Sequence, residues 1–363
     1  MNFKPERAGR DVPARWILAG SSCAVRGSRG SQSQGRDPMR HHLAAFTAAA
    51  LAAATFTATT ASAQKYPERP IRIIVPFAPG GNIDITARTI APGLSETLGA
   101  SVVVDNRAGA SGTIGVDLVA KSPPDGYTLV VGSTGTITGA PSLFPKLPYN
   151  PLRDLTAISM VSDVPIMIVV HPAMRARNVK ELVALAKPKA GRITMGSPGP
   201  GSTNHLAGEL FQLATGVKFT HIPYKGNGPA LIDLMGGQID IVFDQMTASI
   251  GYVRGGKLRA LGVAQSKRSA QLPDVPTLAE QGCKGCEAST FAGLFGPAGL
   301  PKPILDRLAD ATAKVVASKP VHDRFVSLGA EPKSSTPEEF SRLVQADVAR
   351  WARVVKEANI RIE

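Results

Sequence analysis

The chain has 363 residues, 43% hydrophobic and 19% charged, which excludes a disordered tail or a coiled coil and leaves room for one large domain or two medium ones. Lys and Arg number 41 against 28 Asp and Glu, a net +13 that at face value suits a nucleic-acid or membrane-surface protein. Residues 1–63 carry +5 of that excess and the other 300 residues spread the remaining +8 with no aromatic-interleaved basic stripe, which argues against nucleic acid.

In chain order, residues 1–38 are Gly, Ser and Arg without periodicity, and are expected to lie upstream of the true start at Met39. Met39-Arg40-His41-His42, the uncharged run Leu43–Ala63 and the ending Ala61-Ser62-Ala63 form a basic region, an apolar region and a small-x-small cleavage site. The run is too short and too Ala-rich to span a bilayer. Residues 39–63 therefore read as a signal peptide cleaved after Ala63, leaving a mature protein outside the cytoplasm.

Beyond Gln64, short β-branched runs alternate with amphipathic stretches. Strands are predicted at Ile71–Pro76, Val102–Asp105, Thr128–Gly132, Ile166–Val170, Ile193–Gly196, Phe219–Pro223, Ile239–Phe243, Leu258–Val263 and Leu294–Gly296. Helices are predicted at Asn82–Leu98, Thr113–Ala120, Val179–Ala186, Asn204–Ala214, Pro229–Met235 and Ile304–Val316. A last helix opens at Thr336-Pro337-Glu338-Glu339, with an N-cap, a proline at N1 and an acid at N3. This alternation argues for mostly parallel sheets flanked by helices. Three hundred residues suit two lobes. The chain is expected to cross between them near Asp163–Pro165 and again near Ser289–Phe291, so that 64–165 with 290–363 make one lobe and 166–289 the other.

Three glycine-rich turns stand before predicted helices: Pro76–Asn82, Asp105–Gly112 and Gly196–His205. Each is either an ordinary βα turn or an anion site, because a helix N-terminus exposes unpaired N–H groups. None fits a nucleotide fingerprint. No G-x-S-x-G elbow is present, and His171, His205, His221 and His322 lack metal spacing, so no catalytic residue, metal or cofactor is assigned. A structural role is expected for His205; Asp244 is expected to reach a cleft and Asp240 to face solvent. Cys283 and Cys286, in a Gly-rich loop of an exported chain, are expected to form a local disulfide in preference to free thiols, a redox pair or a metal site.

The order of motifs resembles a known family. Tyr66-Pro67-x-x-Pro70 is followed by Val75-Pro76-Phe77-x-Pro79-Gly80-Gly81-x-x-Asp84-x-x-Ala87-Arg88, then Asn106-Arg107-x-Gly109-Ala110-x-Gly112-x-Ile114-Gly115 and Pro124-Asp125-Gly126-Tyr127. After these come Gly199-x-Gly201-Ser202-x-x-His205-Leu206-Ala207, Pro223-Tyr224-Lys225-Gly226, Gly237-Gln238-Ile239-Asp240 and Pro273-x-Val275-Pro276-Thr277-x-x-Glu280-Gln281-Gly282. From about Tyr66 to the C-terminus the chain resembles the Bug-type substrate-binding proteins of tripartite tricarboxylate transporters.

The resemblance implies an α/β, two-lobed periplasmic binding protein of type II. It implies a monomer, not an enzyme, that closes on a small carboxylate and delivers it to one large and one small membrane subunit. By the same resemblance the ligand is held by Phe77, Gly80, Gly81 and Asn82 of the first loop and by Ser197, Gly201, Ser202, Thr203 and Asn204 of the Gly/Ser loop, with Ser133, Thr134 and Asp244 as cleft neighbours. Di- and tricarboxylates, aromatic acids and amino acids all fit such a clamp. A receptor for a membrane sensor and an extracytoplasmic hydrolase are the alternatives, the latter opposed by the lack of a nucleophile–base pair. Two departures stand out: Cys283 and Cys286 replace an apolar pair, and Thr290 or Phe291 stands where relatives carry tryptophan.

Overall fold

The computed structural model describes residues 66–357 and 360; the expected upstream stretch 1–38 and signal peptide 39–63 lie outside the described residues. Ten strands form one continuous sheet whose main path runs β2 (Val102–Asn106), β1 (Ile71–Val75), β3 (Thr128–Ser133), β9 (Ser289–Pro297), β4 (Leu155–Val170), β7 (Ile241–Gln245), β5 (Ile193–Ser197) and β6 (Phe219–Pro223). Strands β8 (Arg259–Val263) and β10 (Glu331–Pro332) pair with β4 off this path. Each outer wing is three parallel strands, β2-β1-β3 and β7-β5-β6. The strands joining the wings run antiparallel, so parallel pairing marks the βα units and antiparallel pairing the crossing.

The crossing is one long strand. β4 pairs with β9 along Leu155–Pro165, then with β7 and β8 along Ile166–Val170. The sequence pattern showed only Ile166–Val170, because Ser159, Ser162, Asp163 and Pro165 interrupt the apolar alternation upstream. Tertiary partners compensate for these residues: Ser159 Oγ donates to the Ser335 carbonyl at 2.9 Å, two register shifts break the ladder between Ala157 and Ser162, and Pro165, which has no N–H, sits where the strand changes partners. The pairs Asp163–Phe291, Val164–Thr290 and Pro165–Ser289 put the two segments expected to cross between lobes side by side.

Both faces of each wing are covered. Helix α1 (Asn82–Leu98) lays Ala87, Ile90, Leu94 and Leu98 on β1 and β3 together with α8 (Lys302–Ala317) and α9 (Lys319–Ser327). It ends at Gly99, whose φ of 74° is a left-handed cap that glycine adopts without strain. The opposite face carries α2 (Thr113–Ala120) and α10 (Pro337–Glu357). The predicted start of α10 is a capping box, with the Thr336 N–H donating to Glu339 Oε2 at 3.0 Å and the Glu339 N–H to Thr336 Oγ1 at 3.1 Å. Asp347, which breaks its apolar stripe, accepts from Thr138 Oγ1 at 2.6 Å.

In the second wing α4 (Val179–Ala186) and α5 (Thr203–Thr215) pack on one face around Phe211 and Phe243. Helices α6 (Asn227–Met235) and α7 (Met246–Arg254) pack on the other. Helices α3 (Ala140–Leu143), α7 and α9 were not predicted, nor was the π-helical turn Thr134–Gly139 that follows β3. Cys283 and Cys286 are joined by a disulfide and buried against the α4–α5 core. Among the described residues no helix is long and apolar enough to cross a membrane.

Candidate functional site

The loop after β1 is held from below by Asp84, in the first turn of α1. Its carboxylate accepts from the Gly80 N–H at 3.0 Å, from Arg88 Nε at 3.0 Å and from Asn106 Nδ2 at 2.9 Å. Burial pushes this carboxyl upward, but the bonds from Arg88, Gly80 and Asn106 outweigh it and hold it below the usual carboxylate range. Asn106 Nδ2 also donates to the Phe77 carbonyl at 3.0 Å. The loop is thus fixed without any ligand contact, and Asn82 stands free of it. Asn82 Oδ1 accepts from Thr247 Oγ1 of α7 at 2.7 Å, and its Nδ2 is buried with no partner.

The Gly/Ser loop after β5 rests on two imidazoles. His205 Nδ1 accepts from the Gly201 N–H at 3.2 Å, and His221 Nε2 lies 2.6 Å from Ser197 Oγ, which also accepts from the Gly199 N–H at 3.0 Å. The rings lie tilted by 36° with centroids 4.2 Å apart. Burial, then the neighbouring imidazole, lowers His205 to about 3, and burial lowers His221 to about 4. Both are therefore neutral at neutral pH; His205 serves as an acceptor for the loop, and His221 pairs with the Ser197 hydroxyl. The Ser197–His221 pair is a hydroxyl–imidazole contact that the sequence did not reveal. Ser197 is fully buried and engaged with Gly199, an arrangement that fixes a turn. Ser202 caps α5, accepting from the His205 N–H at 3.3 Å.

The two lobes meet over these loops. The Ala78 N–H donates to the Lys225 carbonyl at 3.0 Å, and the Gly135 N–H of the π-helical turn donates to Thr203 Oγ1 at 2.9 Å. Between them lies a cavity of about 20 Å³, the space of a single water. Phe77, Gly81, Asn82, Ile83 and Ser133 line it from one lobe; Pro198, Ser202, Thr203, Asn204, Asn227 and Gln245 line it from the other. None of these side chains carries a charge. The N-termini of α1 and α5 both open onto it, and the first turn of each helix has N–H groups with no intrahelical partner.

Larger surface grooves exist, of about 580 Å³ by His171, Arg192 and Asp240 and about 750 Å³ between α1, α8 and α9. Neither is lined by a buried, unpartnered polar side chain, so the interlobe cavity is the candidate site. Among the described residues no three His, Cys, Asp or Glu side chains cluster as metal ligands do.

Of the residues singled out from sequence, Phe77, Gly81, Asn82, Ser133, Ser202, Thr203 and Asn204 line the cavity. Five do not. The Gly80 N–H is taken by Asp84 and the Gly201 N–H by His205, and Ser197 lies beneath its loop. Thr134 Oγ1 accepts from the Phe291 N–H at 3.3 Å. Asp244 is fully buried behind the wall, where its Oδ1 accepts from Asn227 Nδ2 and its Oδ2 has no partner; burial raises its carboxyl to about 7 against hydrogen bonds from Ser249, Gln245, Asn227 and Asn204. Asp240, expected to face solvent, is half-exposed at the first of these surface grooves, and it also accepts from the Thr194 N–H and Oγ1 at 2.8 and 2.9 Å. Ile83, Pro198, Asn227 and Gln245 were missed. The one available signal was Asn227 between Gly226 and Gly228, a glycine-flanked polar residue at a helix start.

Gly81 has a φ of −88°, and a Cβ there would meet Asn227 Cβ at an ordinary 3.4 Å. Gly81→Ala is therefore expected to keep ligand binding within a few-fold, whereas Gly81→Leu fills the cavity and abolishes binding in a folded protein. Circular dichroism and ligand-induced thermal shifts check both; binding by the leucine variant would make this loop a turn only.

Two α/β lobes joined by paired crossing strands, with helix N-termini facing each other across an interlobe cavity, define a two-lobed solute-binding protein. The sequence model described as tripartite tricarboxylate transporter family receptor matches residues 86–360, and the chain belongs to that family. Protein BugT of Bordetella pertussis is 41% identical over 307 residues, covering 84% of this chain and 94% of that protein. MatC from Rhodopseudomonas palustris, solved with bound malate, is 34% identical with a TM-score of 0.78, covering 80% of this chain and 100% of that one. Rpa4515 of R. palustris, solved with adipate, is 36% identical with a TM-score of 0.79, covering 82% and 99%.

Proposed function

We propose that this protein captures a small carboxylate between its lobes, outside the cytoplasm, and delivers it to the large and small membrane subunits of a tripartite tricarboxylate-type transporter. The observation that carries this reading is the buried, unpartnered Asn82 Nδ2 between two opposed helix N-termini in an uncharged cavity. A carboxylate supplies acceptors to such donors and gains from both helix dipoles. Malate and adipate in the relatives' structures are of this chemistry. Residues 39–63 serve as the export signal. Residues 64–165 with 290–363, and residues 166–289, move as the two lobes about the paired strands β4 and β9.

A cavity of about 20 Å³ admits no dicarboxylate. The lobes must part for entry and close as the ligand bridges them, a population shift between two arrangements. A thermal-shift screen of the purified protein against di- and tricarboxylates, aromatic acids and amino acids tests the reading. At least one acid at 100 times its Kd is expected to stabilise by about 2.7 kcal/mol. No stabilisation by any acid at millimolar concentration overturns it.

A further inference from the structure

The cavity wall formed by the second lobe is a closed network of amides whose polarity is fixed at both ends. Asn204 Nδ2 donates to the Phe243 main-chain carbonyl at 2.6 Å, an oxygen that can only accept, so Asn204 must present its Oδ1 on the other side. Gln245 Nε2 donates to that Oδ1 at 2.8 Å. Gln245 Oε1 consequently faces Asn227, whose Nδ2 donates to it at 2.8 Å. The second N–H of Asn227 goes to Asp244 Oδ1. Asp244 receives hydrogen bonds, none of them from a cation, and so holds the amino end of Asn227 away from the cavity.

Counting valences gives the chemistry of the wall. Asn227 has used both N–H groups; the second N–H of Asn204 is shared between Asn227 Oδ1 at 3.2 Å and Gln245 Oε1 at 3.1 Å, so Asn227 Oδ1 keeps at least one lone pair. Asn204 keeps one lone pair on Oδ1, and Gln245 keeps one N–H. The wall therefore offers two acceptors and one donor, all on residues that line the cavity. A primary carboxamide is the complement: two N–H donors and one carbonyl acceptor. A second carboxylate, an acceptor only, would set its lone pairs against those of Asn227 and Asn204, with no cation nearby to offset the mismatch.

We propose that the receptor selects carboxylates bearing a terminal carboxamide over the corresponding dicarboxylates, with Asp244 as a positioning residue that, together with Gln245, holds the orientation of Asn227. The carboxylate end goes to Asn82 and the helix N-termini, so the inference rests on the carboxylate-receptor reading. Unpaired buried acceptors are costly, and the expected discrimination is on the order of tenfold or more in Kd.

Calorimetric titration with succinamate against succinate, and with glutaramate against glutarate, at pH 8.5, where Asp244 is ionised, tests it, with butyrate as the reference that lacks a second polar group. Half-amides binding at least about tenfold tighter than their diacids is the expected result. Diacids binding as tightly or more tightly overturns the selectivity and leaves the receptor reading standing. Failure of these and every other carboxylate to bind overturns the receptor reading and this inference with it. In Asp244→Asn, residue 244 can face Asn227 with either end of its amide and Gln245 alone is left to hold Asn227, so the half-amide preference, normalised to butyrate on the same variant, is expected to fall several-fold. An unaltered preference in the folded variant overturns the role of Asp244, and the wild-type ligand pairs decide the selectivity whether or not that variant folds.

Discussion

Gly228→Ala is expected to weaken carboxylate binding on the order of 100-fold while leaving the ligand-free protein at least as stable as wild type. Gly228 is the second residue of α6, where alanine favours the helix by roughly 0.5–1 kcal/mol. Nothing in its own lobe opposes a methyl group. The obstacle is the other lobe: a Cβ at 228 would lie 2.2 Å from the Pro79 carbonyl oxygen, a main-chain atom that cannot swing aside. The methyl thus acts as a wedge that stops closure short. Losing two charge-assisted hydrogen bonds from the lobe held away costs about 3 kcal/mol or more, which is the quoted factor. Gly135→Ala is a second wedge, its Cβ 2.6 Å from the Thr203 amide nitrogen. Gly251→Ala, in α7 with nothing within 4 Å, is the control. Titration calorimetry and thermal melts of the three variants separate closure from folding; wild-type affinity in both wedge variants would mean that capture does not require the lobes to meet.

The second large effect is a difference in pH dependence between Asp244→Asn and wild type. His205 and His221 titrate near 3 and 4 in the folded protein against 6.5 ordinarily. The unfolded chain therefore takes up their protons first, and stability falls as pH drops through about 6.5 toward 4. Asp244 works in the opposite sense. Its folded value of about 7 stands above the ordinary 3.8, so the folded protein takes up that proton first and stability rises as pH falls from about 7 toward 4. Between pH 7 and about 4.5 the Asp244 contribution is on the order of 3 kcal/mol, similar to that of His205 and opposite in sign. With His221 adding a loss similar to that of His205, wild type should lose about 2 kcal/mol over this range, and Asp244→Asn about 3 kcal/mol more. Urea unfolding at the two pH values reads this out. Other titrating groups are common to both proteins and cancel in the difference, so equal losses would place Asp244 at an ordinary carboxylate value.

Local chemistry made much of the fold legible. Asn82–Leu98, Thr113–Ala120 and Val179–Ala186 were read to the residue because apolar spacing there runs out at a local stop: Gly99 after the first, Pro123-Pro124 beyond the second and Pro188 beyond the third. The Thr336 capping box is likewise a local signal. Helix α7 and the first eleven residues of β4 were not read. Met246–Arg254 lacks a cap signal, and its buried face is set by β4 and α1. Leu155–Pro165 carries polar residues that a strand tolerates only when Ser335, β9 and β10 satisfy them.

The candidate site divides along the same line. Glycine beside a helix start is written in the chain and marked the two loops, and the family resemblance singled out Phe77, Gly81, Asn82, Ser202, Thr203 and Asn204 on them. Which N–H groups remain free is not written there, because it depends on which side chains reach them: Asp84 takes Gly80, and His205 takes Gly201. Asn227 and Gln245 lie 23 and 41 residues from Asn204 in sequence and meet it only because β7, α5 and α6 converge at the strand ends.

By itself, then, the sequence determined the α/β alternation, the glycine loops and the family, each being a matter of residues near one another along the chain. It also reduced the net +13 to an incidental property, since no charged side chain lines the cavity. The tertiary structure alone decided the closed approach of the lobes, the polarity of the amide wall and the burial of Asp244 behind it. Hydrogen-bond direction at a buried amide is set by partners distant in sequence, and only the folded chain brings those partners together.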